Sequence, residues 1–164
     1  MREIVVGLDL SPSARAALKW AAGQARATGQ PLRAVHAVDV SPAYNMALGM
    51  GEASVPMEPS AMDARYREAV TAVFESVQPG LGWRLQFFSG EAGPVLVAES
   101  VRAALLVVGT KEHVGIDRLV SGSVSHYCLS HAQCPVVAVP VVPEPDTDKD
   151  HDHDHAAADT SAPA

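Results

Sequence analysis

Three short runs, at residues 4–8, 104–108 and 136–139, are almost entirely apolar, and segments with helical spacing of their apolar residues separate them. A strand with one wet face alternates apolar and polar side chains. A strand without that alternation needs cover on both faces, as in parallel sheets whose crossover connections are helices. Strand and helix alternate along the whole folded part of the chain. The pattern predicts an α/β fold: an open parallel sheet with helices on both faces and right-handed crossovers. Sheets of this kind take ligands beyond the carboxyl ends of their strands, where the strand order reverses.

The elements follow in order. Residues 4–10 form the first strand and end in polar residues; Ser11 suits an N-cap and Pro12 a first helical position. Ala17, Leu18, Ala21, Ala22 and Ala25 make one stripe of a helix over 14–27, which Gly29 closes. The second strand is 32–38. Residues 39–60 are rich in Pro, Gly, Met and Ser without a clean period and predict a mobile loop, with Met46, Met50 and Met57 packed loosely beneath it. A helix over 61–77 leads through Gly80 and Gly82 to a half-exposed edge strand at 83–88. A helix from Gly93 to about residue 101, a strand at 104–108, a helix over 124–131 and a strand at 135–140 complete the domain.

The chain of 164 residues is long enough for one domain with a core that needs neither disulfide nor metal. Its net charge of −7 is concentrated at one end: residues 143–164 hold seven carboxylates and one lysine, leaving −1 for the rest. A nearly neutral body without a cluster of Arg and Lys argues against nucleic-acid binding. The segment 143–164, with few apolar anchors, cannot bury enough surface to offset its ordering entropy and reads as a disordered acidic tail beyond a 1–142 domain. Its alternating Asp and His, with His151, His153 and His155, could chelate Zn²⁺, Ni²⁺ or Cu²⁺ loosely, but a solvated charged tail is the preferred reading and no metal site is expected. No basic-then-apolar leader and no apolar stretch of membrane-spanning length is visible, so a soluble cytoplasmic protein is expected. Cys128 and Cys134 read as two small buried residues rather than as a redox pair.

The long segment 109–125 leaves the fourth strand at Gly109 and opens the last helix at Gly122, Ser123, Val124 and Ser125. A glycine loop between a strand end and a helix N-terminus suits a phosphate, because backbone N–H groups converge there and the helix dipole favours negative charge. Glu112, in the middle of that loop, argues the other way. His36 reads as a satisfied buried histidine, His126 and His131 as helix residues without a catalytic partner, and a serine at a helix start reads first as a cap. No Gly-Lys-Ser/Thr loop, paired carboxylates on one helix or His-x-Gly-His motif supplies a hydrolytic apparatus, so no catalytic activity is expected.

Residues 4–13 (IVVGLDLSPS), 106–110 (LVVGT), 122–127 (GSVSHY) and 130–140 (SHAQCPVVAVP) agree in order and spacing with the universal stress protein family, which the chain resembles over about residues 2–141. The resemblance implies a Rossmann-like sheet of the adenine nucleotide alpha hydrolase type, five parallel strands in the order 3-2-1-4-5, and homodimers paired through the last strand. It also implies an adenine nucleotide as regulatory ligand, ATP with Mg²⁺ where the phosphate loop is complete. The family's loop pattern, Gly-x2-Gly-x9-Gly-Ser/Thr, places Gly109, Gly122 and Ser123 on the phosphates, with Val124, Ser125 and Lys111 beside them. Asp9 matches the acidic residue facing the nucleoside, and Ala37 the strand-two position whose backbone holds the base.

The second glycine of that pattern is Glu112. A positive φ there would cost a glutamate about 1–2 kcal/mol. A carboxylate roughly 5 Å from a phosphate charge, at an effective dielectric of about 20, is opposed by about 3 kcal/mol. Lys111, His113, Arg118 or a bridging Mg²⁺ would offset this. Two readings stand: a solvent-facing charge on a rearranged loop in a nucleotide-binding protein, or a non-nucleotide interaction protein that excludes triphosphate and acts as a homodimer.

Overall fold

The computed structural model describes residues 2–38, 59–110 and 122–141. In chain order these form β1 (Ile4–Gly7), α1 (Pro12–Thr28), β2 (Leu32–Val38), α2 (Pro59–Glu75), β3 (Arg84–Ser89), α3 (Ala92–Glu99), β4 (Leu105–Thr110), α4 (Ser123–His131) and β5 (Val136–Pro140). Residues 39–58 of the expected mobile loop with its methionines, residues 111–121 of the glycine loop, and the acidic tail lie outside the described residues.

All strand pairs are parallel, and the five-stranded sheet has the order β3-β2-β1-β4-β5. That is the order implied above. Successive side chains of a strand point to opposite faces, and here both faces are dry. Ile4, Val6 and Leu8 meet the α1 stripe of Ala17, Leu18, Ala21 and Ala25, together with Val70, Val73 and Phe74 of α2. Val5, Val35, Leu106 and Val108 meet Leu96 of α3, Ala103 and Cys128 of α4. The continuous apolar runs are the direct consequence of these two cores.

Element ends differ from expectation by a few residues, each for a local reason. β1 stops at Gly7 rather than running to residue 10; the Leu8 N–H still reaches the Val35 carbonyl, and the chain bends at Leu10 and Ser11 before α1. α2 begins earlier, at Pro59, where a missing N–H leaves nothing unpaired. It also ends earlier, and Gln78 follows with a positive φ of 50°. Arg26, at the last turn of α1, holds this corner by donating to the carbonyls of Val77 and Gln78 while its guanidinium lies 5.0 Å over the Trp83 ring. α3 ends at Glu99 rather than near 101, where Ser100 donates its hydroxyl back to the Val97 carbonyl at 3.1 Å. Gly29 closes α1 in the left-handed region, φ 67°, as its position predicts.

The amino-terminal edge of the sheet is closed by charge. Arg33, only 7 % exposed, donates to Glu3 Oε1 at 2.8 Å, Glu99 Oε2 at 2.6 Å, the Glu99 carbonyl at 2.6 Å and Gln86 Oε1 at 3.0 Å. Arg84 adds a bond to Glu3 Oε2 at 2.7 Å. A buried guanidinium is tolerable only when its donors are matched in this way. The bond to the Glu99 carbonyl also satisfies an orphan acceptor at the end of α3.

Candidate nucleotide site

The strand order reverses between β1 and β4, and a cavity of about 210 Å³ opens at their carboxyl ends. Asp9, Ala37, Gly109, Gly122, Ser123, Val124 and Ser125 all line it. Of the residues singled out for this site from the sequence, Lys111, Glu112, His113 and Arg118 lie outside the described residues. Leu8, Ser11, Ser13 and His36 also line the cavity and were not among the residues expected there.

α1 begins at one wall. Ser11 has an extended backbone and its Oγ accepts the Ala14 N–H at 3.2 Å, as an N-cap should. Its own N–H goes to Asp9 Oδ1 at 2.8 Å, and its hydroxyl is 3.0 Å from that of Ser13. Asp9 is exposed, so its carboxylate faces solvent and the cavity mouth while that turn fixes its direction.

α4 begins at the opposite wall, with a different finish. Its N-cap is Gly122, extended at φ −157° and ψ 124°, and no side chain caps the helix. The first backbone bond of the helix is from His126 N–H to the Gly122 carbonyl at 3.0 Å. The N–H groups of Ser123, Val124 and Ser125 precede it and have no partner one turn back within the helix. The serines are therefore not caps. Ser125 is buried and donates its hydroxyl to the Gly122 carbonyl at 3.1 Å, which commits that proton, whereas the Ser123 side chain is exposed.

Gly109 has a packing role beside the one its loop suggests. A Cβ there would overlap the Ser13 carbonyl and lie 2.9 Å from the Ala14 nitrogen. The bare Cα is what allows the end of β4 to lie directly against the first turn of α1. A Cβ on Gly122 would meet the Ser125 Oγ at 2.9 Å.

His36 is 4 % exposed, with its Nδ1 2.7 Å from the Leu8 carbonyl. A carbonyl only accepts, so Nδ1 carries the proton. The ring lies against Tyr66 and, edge-on, Phe87, with centroids 5.3 and 5.6 Å away. It is a satisfied buried histidine, as expected. His131 also has a partner: its Nδ1 is 2.9 Å from the Tyr127 carbonyl and its ring stacks on Tyr127 at 4.1 Å.

Among the described lining residues Asp9 is the only carboxylate, and none is Lys or Arg. Positive potential from that part of the wall comes from the N-termini of α1 and α4, both of which line it. Cys128 lies behind the site in the core, where burial first and the neighbouring Cys134 second push its thiol up to about 11. Among the described residues no three metal-ligating side chains cluster, and no helix is long and apolar enough to cross a membrane.

The profile of the universal stress protein family matches residues 1–140. Universal stress protein A homolog 1 of Coxiella burnetii is 32 % identical over 143 residues, covering 84 % of this chain and 95 % of that protein. A universal stress protein of Mycobacterium tuberculosis is also 32 % identical, over 147 residues, but the chain spans only 46 % of its length. Among solved structures, a universal stress protein in complex with cAMP superposes with a TM-score of 0.57 at 23 % identity, over 86 % of this chain and 98 % of the other. A universal stress protein family member from Arabidopsis thaliana with AMP bound gives 0.53 at 20 % identity, over 85 % and 92 %. A fold set by two dry sheet faces, a cavity at the strand-order reversal and a profile match over nearly all described residues lead to one assignment: the chain belongs to the universal stress protein family.

Proposed function

We propose that this protein binds an adenine nucleotide, ATP in the first place, as a regulatory ligand in a cytoplasmic stress response. The observation that carries the reading is the meeting of an uncapped helix N-terminus with Asp9 and the end of β2 around one cavity. In this reading the N–H groups of Ser123, Val124 and Ser125 and the Ser123 hydroxyl hold phosphate, Asp9 accepts from ribose hydroxyls, and the Ala37 backbone takes the base. Gly109 and Gly122 keep the two walls close. Lys111 and Glu112 would act from the segment between them. With a triphosphate, Mg²⁺ would be held by phosphate oxygens, since Asp9 is the only carboxylate among the described lining residues. Solved relatives in complex with cAMP, AMP and dAMP support an adenine nucleotide as the ligand class.

The ligand acts through conformation and is not turned over. Asp9 and His36 are the only titratable groups among the described lining residues, and the His36 Nδ1 proton is already given to a backbone carbonyl. Two free cysteines suit a reducing compartment. The half-buried outer strand β5, apolar over residues 136–139, supports pairing with a second copy. That same edge favours the second reading, a protein that acts through its dimer without nucleotide. Identifying any nucleotide released from the purified protein, then titrating ATP, AMP and cyclic AMP, separates the two. Micromolar binding is expected; an empty protein without measurable affinity would leave only the dimer reading.

A further inference from the structure

The pairing of β1 with β2 stops one rung early, and His36 occupies the missing place. In a parallel pair, alternate residues of a strand turn both N–H and carbonyl to the same neighbour. Ile4 N–H bonds the Pro31 carbonyl and Leu8 N–H bonds the Val35 carbonyl, each at 2.9 Å. Val35 and Ala37 are therefore residues of β2 whose backbone faces β1. The next rung of a regular ladder would join Ala37 N–H to the Leu8 carbonyl. That carbonyl instead lies 2.7 Å from the His36 Nδ1, and among the described residues no backbone bond joins it to Ala37. The paired register accordingly ends at Gly7 with Val35.

We propose that His36 is a positioning residue for the nucleotide base: it takes the Leu8 carbonyl, ends the ladder, and leaves the Ala37 N–H and carbonyl as a donor–acceptor pair at the cavity. Leu8, His36 and Ala37 all line that cavity. The ring packs against Tyr66 and Phe87 and is buried, which restrains its donor at Leu8. A backbone N–H beside its own carbonyl complements an acceptor beside a donor. The N1 and exocyclic amine of adenine present that pair, and guanine presents it in the opposite order from the exocyclic position. The inference rests on the nucleotide reading for its ligand, but the state of the Ala37 amide does not.

Amide hydrogen exchange on the ligand-free protein tests the placement. In the native protein Ala37 should exchange much faster than Val35, and His36→Leu should slow it at least about tenfold as the rung closes. Equal protection of Ala37 and Val35 in the native protein, or no slowing in a folded His36→Leu, would overturn the inference. Titration then tests the consequence. The preference for AMP over GMP should shrink about fivefold to tenfold in His36→Leu and return in His36→Asn, whose amide can donate near the same point. An unchanged AMP to GMP ratio in His36→Leu would likewise overturn it. If His36→Leu does not fold, the native protein decides alone: an unprotected Ala37 amide that AMP slows supports the inference, and a protected one sinks it. A native protein that binds no adenine nucleotide removes the nucleotide reading, whereas exchange at Ala37 still decides whether His36 ends the ladder.

Discussion

Two helices start at the same edge of the sheet and meet the same cavity, yet their first turns are finished in opposite ways. At α1, Ser11 caps Ala14, Asp9 takes the Ser11 N–H, and Pro12 has no N–H to satisfy, so only the Ser13 N–H is left open. At α4, the N-cap is a glycine without a side chain, and three N–H groups are left to the cavity. α1 has 17 residues and α4 has 9, so the shorter helix, which would gain more from a cap, is the one without it. A side-chain cap typically adds about 1 kcal/mol. In the proposed nucleotide reading, its absence makes the α4 start the place where binding outranks stability.

Gly109 holds these two starts in register, and its replacement should have the largest effect. In Gly109→Ala the new methyl enters the Ser13 backbone, which cannot move without shifting α1 or β4. Overpacking a tight site costs about 1–3 kcal/mol and occasionally more, and backbone rather than side-chain collision places this change at or above the upper end. Urea unfolding measures it. A loss below about 1 kcal/mol would mean that the first turn of α1 is free to yield, and the contrast between a fixed and an open helix start would weaken.

The contrast itself is broken most directly by giving α4 the kind of cap that α1 has. Gly122→Asp places a carboxylate at the open end; at roughly 5 Å from a phosphate charge and an effective dielectric of about 20 it opposes binding by about 3 kcal/mol, or about a hundredfold in Kd. Stability should change little, since a cap worth about 1 kcal/mol is set against crowding at the Ser125 hydroxyl. Calorimetry with AMP and a thermal melt read the two effects separately. Unchanged affinity would place the phosphate elsewhere.

A third effect lies on the rear face of α4. The Cys128 thiol is pushed up to about 11 in the folded protein from an ordinary value near 9.0, so the unfolded chain gives up that proton first as pH rises. Stability from this group is complete below about pH 9 and is lost between 9 and 11, by up to about 2–3 kcal/mol for a two-unit shift. Cys128→Ala is expected to unfold more easily at pH 7 yet to lose less on going to pH 11. Equal alkaline losses in both proteins would show that the thiol is not held neutral.

How much of this could be read from the sequence follows from the kind of physics involved. The sheet and its cover were legible because burial on both faces writes itself as uninterrupted apolar runs, and the Ser11, Pro12 and Gly29 signals act within a few residues of themselves. The convergence of Asp9, Ala37, Gly109 and the 122–125 segment followed from topology, since all sit at carboxyl ends of strands. What stayed hidden depends on contacts across long separations. Gly109 stands in a glycine loop that suggests an anion, yet its bare Cα meets Ser13, nearly a hundred residues away in sequence. Arg33 interrupts a buried strand, and only Glu3, Glu99 and Gln86, from three other parts of the chain, make it tolerable. The role of His36 needs the register of β2 against β1, which no local pattern encodes.

The smallest expected effect sharpens the comparison from the other side. Ser11→Ala removes the acceptor of the Ala14 N–H and the partner of the Ser13 hydroxyl, but leaves the Ser11 N–H bound to Asp9. The loss should be about 1 kcal/mol, the typical worth of a serine cap. AMP affinity should move by less than about twofold, because a net neutral hydrogen bond worth about 1 kcal/mol is spent within the helix start and not on the ligand. Ser11 nevertheless lines the cavity, so the outcome is not trivial. If stability and affinity fall together, the α1 start also grips the nucleotide, and the division between a helix start built for stability and one built for binding does not hold. If stability falls alone, the same edge of the sheet carries both tasks on separate helices, and the open turn at Gly122 is the one that serves the ligand.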